Sequence, residues 1–347
     1  MEEKIHKRRV RYKGTHPRKY SEKYKELNPE KYGATIEKVI SKGSTPAGMH
    51  IPIMVDEILS VLDIKPGQRG LDATLGYGGH TSAILEKLAG TGHLFSLDID
   101  PIEIEKTRAR LLAKGYGDDV LTIIRTNFKN IDEVAENNGR FSFLMADLGV
   151  SSMQIDNPER GFSYKNEGPL DLRLDPTKGE PGAQRLKSLT PEELKWMLVE
   201  NSDEPYAAEI TKEVFNTFRK KEPIETTLDF YRVIERALTF LPQKEQKEAV
   251  KKSSQRCFQA LRIDVNSEFE VLEEFLQKLP QVMEPGGKIA ILTFHSGEDR
   301  LVKQYFKMHF KEGLYSEISK DVIRPSAAEC ARNSRAKSTK LRFAVRA

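Results

Sequence analysis

Strand-like apolar runs alternate with helical patterns from residue 50 to residue 147. Val55, Ile58 and Leu62 have the spacing of one face of an amphipathic helix. The pattern then predicts strands at residues 69–74, 93–98, 120–125 and 141–147, with helices at 80–89 and 101–114 between them. Strands that alternate with helices are typical of a parallel sheet covered by helices on both faces. The sequence therefore predicts an α/β fold.

The alternation stops after residue 147. Residues 148–183 are polar and rich in turn formers, and residues 184–259 have helical patterns. Thr190 followed by Glu193 forms a capping box, which marks the start of a helix. A helical insertion between the fourth and fifth strands is the most economical explanation.

The strand–helix pattern returns in the C-terminal part. It predicts a helix around 269–279, a tight turn at 284–287, a strand at 288–294, a helix from 295 to about 310 and a last strand at 341–345. We expect this last strand to lie antiparallel at the edge of the sheet. The predicted organisation is a basic N-terminal arm of residues 1–48, a sheet domain of residues 49–151 and 260–347, and a mostly helical inserted domain of residues 152–259.

Polar side chains stand where successive predicted strands end, namely Asp72, Asp98, Asn127 and Asp147. Ligands of such sheets bind beyond the carboxyl ends of the strands. The first strand leads into a loop with glycines at 76, 78 and 79, where the backbone can turn tightly and approach a ligand. An acid at the end of the second strand, such as Asp98, can accept hydrogen bonds from ribose hydroxyls. These features predict a cofactor that contains a nucleoside.

The loop distinguishes between two cofactor classes. A dinucleotide fingerprint needs a third small residue, but Thr81 stands at that place. Asp72 before the loop would repel a pyrophosphate. An acid there suits the positive sulfonium and amino groups of S-adenosylmethionine. We therefore favour S-adenosylmethionine over a nicotinamide dinucleotide, and a methyltransferase over an oxidoreductase.

Composition excludes several other classes. The 347 residues are 38% hydrophobic and 31% charged, which is typical of a soluble globular protein. No apolar run approaches the roughly 20 residues of a membrane span, and the basic N-terminus lacks the apolar core of a secretory signal. Cys257 and Cys330 are far apart and have no metal-ligand spacing. We expect a cytoplasmic protein without a metal.

The net charge of +4 is unevenly distributed. Residues 1–50 carry a charge of +7 and residues 320–347 carry +6, so that the middle of the chain is acidic. Four tyrosines stand among the basic residues of the arm, at positions 12, 20, 24 and 32. Cations that bind phosphates beside aromatic rings that stack on bases are typical of RNA recognition. The charge pattern therefore favours a nucleic acid as partner, although such an arm could also pack on the main domain.

Seven sequence motifs carry a resemblance to a known family. They are His50-Ile-Pro, Asp72-Ala-Thr-Leu-Gly-Tyr-Gly-Gly-His80, Asp147-Leu-Gly-Val-Ser-Ser-Met-Gln154, Arg160-Gly-Phe-Ser, Gly168-Pro-Leu-Asp-Leu-Arg173, Phe258-Gln-Ala-Leu-Arg-Ile-Asp-Val-Asn266 and Phe294-His-Ser-Gly-Glu-Asp-Arg300. The chain resembles the bacterial 16S ribosomal RNA cytosine-N4 methyltransferases, also called ribosomal RNA small subunit methyltransferase H. The motifs cover residues 50–347. Two departures are the arm of residues 1–48 and Gly297, where the family has Leu.

The resemblance implies a class I methyltransferase fold, Rossmann-like and mostly parallel, with an inserted helical domain that recognises RNA. It implies contacts to S-adenosylmethionine from Gly78, Gly79, His80, Asp98, Phe128, Asp147 and Gln154. The implied substrate is a cytidine in the decoding region of 16S rRNA in the small ribosomal subunit, methylated on its exocyclic amine. We further expect contacts to this substrate from Arg160, Arg173, Arg262 and His295, and a homodimer is possible.

Methylation of an exocyclic amine needs alignment and a hydrogen-bond acceptor more than it needs a nucleophile on the protein. The lone pair of the cytosine amine is delocalised into the ring, so the amine is a poor nucleophile. A carboxylate or carbonyl on the N–H would keep electron density on nitrogen. Asp147 and Ser151 are the candidate catalytic residues, and Asp147 could instead serve the cofactor alone. A non-catalytic RNA-binding ribosome assembly factor that retains a nucleoside pocket is the alternative function.

Overall fold

The computed structural model describes residues 52–347, apart from the side chains of Ser152, Arg332 and Ser334. The predicted basic arm of residues 1–48 lies outside the described residues. Residues 52–347 contain seven strands, which are β1 (Arg69–Asp72), β2 (His93–Asp98), β3 (Leu121–Arg125), β4 (Phe141–Asp147), β5 (Met283–Thr293), β6 (Tyr315–Ile318) and β7 (Lys340–Arg346). The bounds of β2 and β4 are those that the apolar runs predicted.

The strands form a single sheet in the order β3-β2-β1-β4-β5-β7-β6. Strands β1 to β5 pair in parallel, whereas β7 is antiparallel to both β5 and β6. The chain turns from one side of the sheet to the other between β1 and β4, and ligands bind at such a switch point in α/β folds. This topology confirms the expected class I methyltransferase fold.

The last strand was predicted correctly in direction but not in position. Strand β7 lies between β5 and β6, so β6 is the edge strand. Strand β6 has only four residues and two of them are exposed, so its sequence carries little apolar signal. The predicted turn at 284–287 lies inside β5, where Met283 and Lys288 pair with Phe141 and Phe143 and the intervening residues bulge out.

Helices cover both faces of the sheet. They are α1 (Val55–Leu62), α2 (Gly79–Leu88), α3 (Pro101–Ala113), α4 (Ile131–Asn138), α11 (Glu268–Val282) and α12 (Ser296–Lys311). Ile58 of α1 and Ile84 of α2 belong to one apolar cluster, while Phe275 of α11 and Phe306 of α12 belong to another. The strand residues Leu71 and Phe143 point into opposite clusters, as the alternation of side chains along strands requires.

Between β4 and β5 the chain forms a set of helices. They are α5 (Ser152–Asp156), α6 (Gly182–Ser188), α7 (Pro191–Ser202), α8 (Ala207–Arg219), α9 (Thr227–Ala237) and α10 (Gln243–Asn266), and α13 (Ala327–Arg332) follows later in the chain. A third apolar cluster, which includes Phe230 and Phe258, is formed by residues of α6 to α10 and of the segment before α6. Helix α10 runs past residue 259, where the insertion was predicted to end. The division into two domains stays a prediction.

Helix starts follow from local sequence. Thr190 caps α7 by accepting a hydrogen bond from the Glu193 N–H, and the Glu193 carboxylate accepts one from the Thr190 N–H. Pro191 occupies the first helical position, where its missing N–H costs nothing. Within residues 52–347, no helix is both long and apolar enough to cross a membrane.

Candidate active site

Three strand-end acids lie along the same edge of the sheet. Strand β1 pairs with β2 on one side and with β4 on the other, so Asp72, Asp98 and Asp147 end adjacent strands. Asn127 follows β3, where its side chain accepts a hydrogen bond from the Lys129 N–H and caps a short 3-10 turn. The structure thus brings together the acids that the sequence placed at strand ends, while Asn127 acts as a cap.

The glycine loop connects β1 to α2. Gly78 has a φ of +80° and caps α2, and a Cβ there would lie 2.8 Å from Cγ2 of Thr107. Only glycine satisfies both conditions without strain. The N–H of Gly76 donates to Oδ2 of Asp98 at 2.8 Å, so the loop is tied to the end of β2. A Cβ at Gly79 would touch Pro52 at 3.0 Å, which leaves no space for a larger residue.

Asp72 holds this loop rather than facing a ligand. Its side chain is fully buried, and its oxygens accept hydrogen bonds from the Thr74 N–H at 3.0 Å and from the Thr81 hydroxyl at 2.7 Å. The contact between Asp72 and a positive cofactor, which the sequence suggested, is therefore not supported. Thr81 stands where a dinucleotide fingerprint would have a small residue. Its hydroxyl provides the hydrogen-bond donor that this buried carboxylate needs.

Asp98 has the environment of a ligand-binding carboxylate. Burial raises its pKa to about 6, with a further increase from the negative charge of Asp100. Each of its oxygens accepts one backbone hydrogen bond, Oδ2 from Gly76 and Oδ1 from Asp100 at 2.9 Å. Because a carboxylate has about four acceptor sites, lone pairs remain for two hydroxyl donors. These contacts fix the orientation of the carboxylate and fit the predicted binding of a ribose.

Asp147 and His80 lie next to each other at the end of β4. The Nε2 atom of His80 is 2.9 Å from the Ile53 carbonyl, which can only accept, so this nitrogen carries a proton. Its Nδ1 lies 3.6 Å from Oδ2 of Asp147. The other oxygen of Asp147 is buried and has no hydrogen-bond partner among residues 52–347. A buried carboxylate oxygen without a partner is costly, and a bound ligand that donates to it would remove that cost.

The pKa of Asp147 is raised to about 6. Burial is the largest cause, the charges of Asp72 and Glu298 add to it, and His80 opposes it. The carboxylate is therefore ionised at neutral pH but is close to its titration range. A group of this kind can accept a hydrogen bond or a proton from a reacting amine.

The remaining predicted cofactor residues surround this edge. Phe128 follows β3, and its ring packs edge-to-face on Phe275 at 4.9 Å between centroids. Gln154 and Ser151 form the capping box of α5, in which the Ser151 hydroxyl accepts from the Gln154 N–H at 3.2 Å. The side-chain amide of Gln154 donates to Asp100 at 2.7 Å. These contacts favour a cap role for Ser151, and its catalytic role stays a prediction.

The three arginines predicted to contact substrate all form ion pairs inside the protein. Arg160 is buried and lies 2.7 Å from Asp100, while Arg173 and Arg262 make two-point contacts with Asp171 and Glu268. The contacts of these arginines to RNA stay predictions. For Arg160 the geometry does not favour such a contact, because little of its side chain is exposed.

His295 caps α12 and is held by Glu298. Its Nδ1 accepts from the Glu298 N–H at 3.5 Å, and its Nε2 lies 3.1 Å from the Glu298 carboxylate. Burial alone would raise the pKa of Glu298, but the hydrogen bond and charge of His295, together with the charge of Arg262, lower it. The other Glu298 oxygen accepts from the Phe294 N–H at 2.9 Å.

The sequence analysis did not identify Glu298 as a residue of this site. The signal was a polar N-cap followed three residues later by Glu, which is the pattern of a capping box. Phe269 packs beside His295, with 5.8 Å between ring centroids. A Cβ at Gly297 would lie 2.6 Å from the Phe269 ring. The ring therefore occupies the space that a larger residue at 297 would need, which gives a physical reason for the departure from the family motif.

Comparison with known proteins shows the family of this chain. Residues 47–347 match the model of the MraW methylase family. Ribosomal RNA small subunit methyltransferase H 1 of Agathobacter rectalis is 64% identical over 346 residues, which are 100% of this chain and 99% of the relative. Methyltransferase H 2 of Alkaliphilus metalliredigens is 57% identical and covers 99% of each chain. The enzyme of Thioalkalivibrio sulfidiphilus is 36% identical over 87% of this chain and 98% of its own length.

The sheet order, the glycine loop and the strand-end acids define a methyltransferase that uses S-adenosylmethionine. The residues fit this cofactor, because the backbone at Gly76 is open, with no atom nearer to an added Cβ than the Thr74 carbonyl at 3.9 Å, and because Asp98 keeps lone pairs for two hydroxyl donors. The chain belongs to the MraW methylase family.

Proposed function

We propose that this protein methylates the exocyclic N4 amine of a cytidine in the decoding region of 16S rRNA, in the small ribosomal subunit. The names of its relatives, ribosomal RNA small subunit methyltransferase H, support the substrate class. The seven sequence motifs support the base and the position. The observation that carries the proposal is the Asp147 carboxylate at the carboxyl edge of the sheet, which is partly exposed and has one oxygen without a hydrogen-bond partner among residues 52–347.

The cofactor-binding residues are Gly78, Gly79, His80, Asp98, Phe128, Asp147 and Gln154. The Asp98 carboxylate accepts from ribose hydroxyls, and the glycine loop presents its backbone close to the ligand. When bound, S-adenosylmethionine supplies a methyl group that is electrophilic because it is attached to a positive sulfonium. Orientation of the acceptor against this methyl group supplies much of the rate.

Asp147 acts on the acceptor amine. Its carboxylate accepts a hydrogen bond from one N–H of the cytosine amine, which keeps the lone pair on nitrogen and aims it at the methyl carbon. The N–C bond would form in place of the methyl–sulfur bond, whose electron pair stays on sulfur as a neutral thioether, and the proton that the amine loses passes to this carboxylate or to water. General-base assistance of this kind contributes about 10²–10⁴-fold. His80 lies beside Oδ2 of Asp147, and the positive charge of its protonated ring lowers the pKa of this carboxylate.

The cysteines favour an amine over a ring carbon as acceptor, because attack on the ring carbon would need a thiolate. Cys257 is fully buried in the apolar cluster of the inserted helices, and burial raises the pKa of its thiol. Cys330 packs against the cluster around α1. No other cysteine is present in the chain.

The inserted helices are the proposed RNA-recognition part, and we propose that the enzyme is cytoplasmic. Transfer of a tritiated methyl group to small-subunit particles tests the proposal. Particles from cells that lack the gene should incorporate label, and the Asp147→Asn variant should transfer it at least a hundredfold more slowly. Binding of the particles without any transfer would instead support a non-catalytic assembly factor.

A further inference from the structure

A buried carboxylate follows the proposed ribose-binding acid by two residues. Asp100 is fully buried, and its Oδ1 caps α3 by accepting from the Ile102 N–H at 3.0 Å. Its Oδ2 accepts from the Gln154 amide and from Nη1 of Arg160, each at 2.7 Å. Two of its partners therefore come from the segment after β4, far from Asp100 in the chain.

Arg160 also binds the segment that precedes α6. Its Nη2 donates to the carbonyl oxygens of Arg173 at 3.0 Å and Leu174 at 2.9 Å. The Leu174 N–H in turn donates to Asn266, at the end of α10, at 2.8 Å. One buried guanidinium thus joins the turn after β2 to the segment that packs against the inserted helices.

The turn after β2 fixes the proposed cofactor acid. The Asp100 N–H donates to Oδ1 of Asp98 at 2.9 Å, so any displacement of residue 100 also displaces the Asp98 carboxylate. The negative charge of Asp100 also acts on Asp98 directly. The positive charge of Arg160, whose side chain is only 6% exposed, compensates the negative charge of Asp100. An unpaired carboxylate there would be strongly unfavourable.

We propose that Arg160 is a positioning residue for S-adenosylmethionine, which acts through its ion pair with Asp100 to hold the turn that aims Asp98 at the ribose. This inference rests on the proposed role of Asp98 in the cofactor site. It assigns the Arg160-Gly-Phe-Ser motif to cofactor binding instead of contact with RNA. Arg160 does not touch the cofactor in this account.

The test is the dissociation constant of S-adenosylmethionine, measured by calorimetry on the full-length protein. Arg160→Met should raise it at least tenfold, while kcat at saturating cofactor stays within about threefold of wild type. Arg342→Met is the matched control, because Arg342 is equally buried and pairs with an aspartate, Asp299, at the same 2.7 Å. The control should leave the dissociation constant unchanged.

A double variant keeps the test decisive if Arg160→Met alone does not fold. Asp100→Asn combined with Arg160→Met removes both charges and should fold, with a dissociation constant three- to tenfold above wild type. Wild-type affinity in the double variant, or in a folded Arg160→Met protein, would overturn the inference. If Asp98→Ala also had wild-type affinity, the proposed role of Asp98 would fail as well, which separates the two proposals.

Discussion

The imidazole of His80 faces the carboxylate of Asp147, with 3.6 Å between Nδ1 and Oδ2. Since Nε2 donates to the Ile53 carbonyl, Nδ1 carries a proton only when the ring is a cation. The pair therefore combines one carboxylate whose pKa is raised to about 6 with one histidine of fixed orientation. This arrangement leaves the Asp147 carboxylate as an acceptor for a substrate or cofactor donor, and the first predictions test which of the two it serves.

Asp147→Asn should lower kcat at least a hundredfold, because it removes the proposed acceptor of the amine proton. The dissociation constant of S-adenosylmethionine should change by less than about tenfold, which corresponds to about 1.4 kcal/mol. Steady-state kinetics and calorimetry on the same protein give both quantities. A large loss of cofactor affinity with kcat preserved at saturation would mean that Asp147 serves the cofactor alone.

The pH dependence follows from the same carboxylate. Asp147 must be ionised to accept a proton, and its pKa is raised to about 6. Activity should therefore be full above about pH 7 and should fall roughly tenfold per pH unit below the pKa. Single-turnover rates between pH 5 and 8 measure this profile. A rate that stays flat down to pH 5 would contradict the proposed role.

Asp98→Ala should weaken binding of S-adenosylmethionine on the order of a hundredfold or more. Two hydrogen bonds from the ribose would be lost, and hydrogen bonds to charged groups contribute roughly 1.5–3 kcal/mol each. Calorimetry measures the affinity, and circular dichroism checks that the variant is folded. Unchanged affinity in the folded variant would remove Asp98 from the cofactor site.

Gly78→Ala should destabilise the protein and weaken cofactor binding together. A positive φ costs a residue with a Cβ roughly 1–2 kcal/mol, and the new Cβ would also press on Thr107 at 2.8 Å. Gly90→Ala is the matched control, since Gly90 has a similar φ of +71° and nothing lies near the added Cβ. Denaturant unfolding should show a larger loss for Gly78→Ala. Equal losses would mean that the close approach to Thr107 does not matter.

Much of the fold was predictable because it is local. The apolar runs of β2 and β4, the capping box at Thr190 and the strand-end acids are all visible within a few residues of sequence. Strand β6 was missed because its side chains alternate little. The position of β7 was missed because strand order depends on packing far along the chain.

The roles of the charged residues were harder to predict for the same reason. Asp72 and Arg160 were interpreted as ligand contacts, but Asp72 accepts hydrogen bonds from the nearby Thr74 and Thr81, and Arg160 pairs with Asp100, which is distant in sequence. The basic C-terminal segment is similar, since Lys340 and Arg342 pair with Asp299 and Arg335 pairs with Asp156. The excess positive charge near the C-terminus is therefore partly neutralised within the protein. Sequence shows the charge of a residue but not the distant group that compensates it.

The identity of the methylated nucleoside tests the central claim most directly. Small ribosomal subunits from cells that lack the gene are incubated with the protein and S-adenosylmethionine carrying a deuterated methyl group, and the RNA is digested to nucleosides for mass spectrometry. The proposed function predicts labelled N4-methylcytidine, close to one per particle, which forms at least a hundredfold more slowly with Asp147→Asn. Label in 5-methylcytidine or in a ribose-methylated nucleoside, with none in N4-methylcytidine, would contradict it.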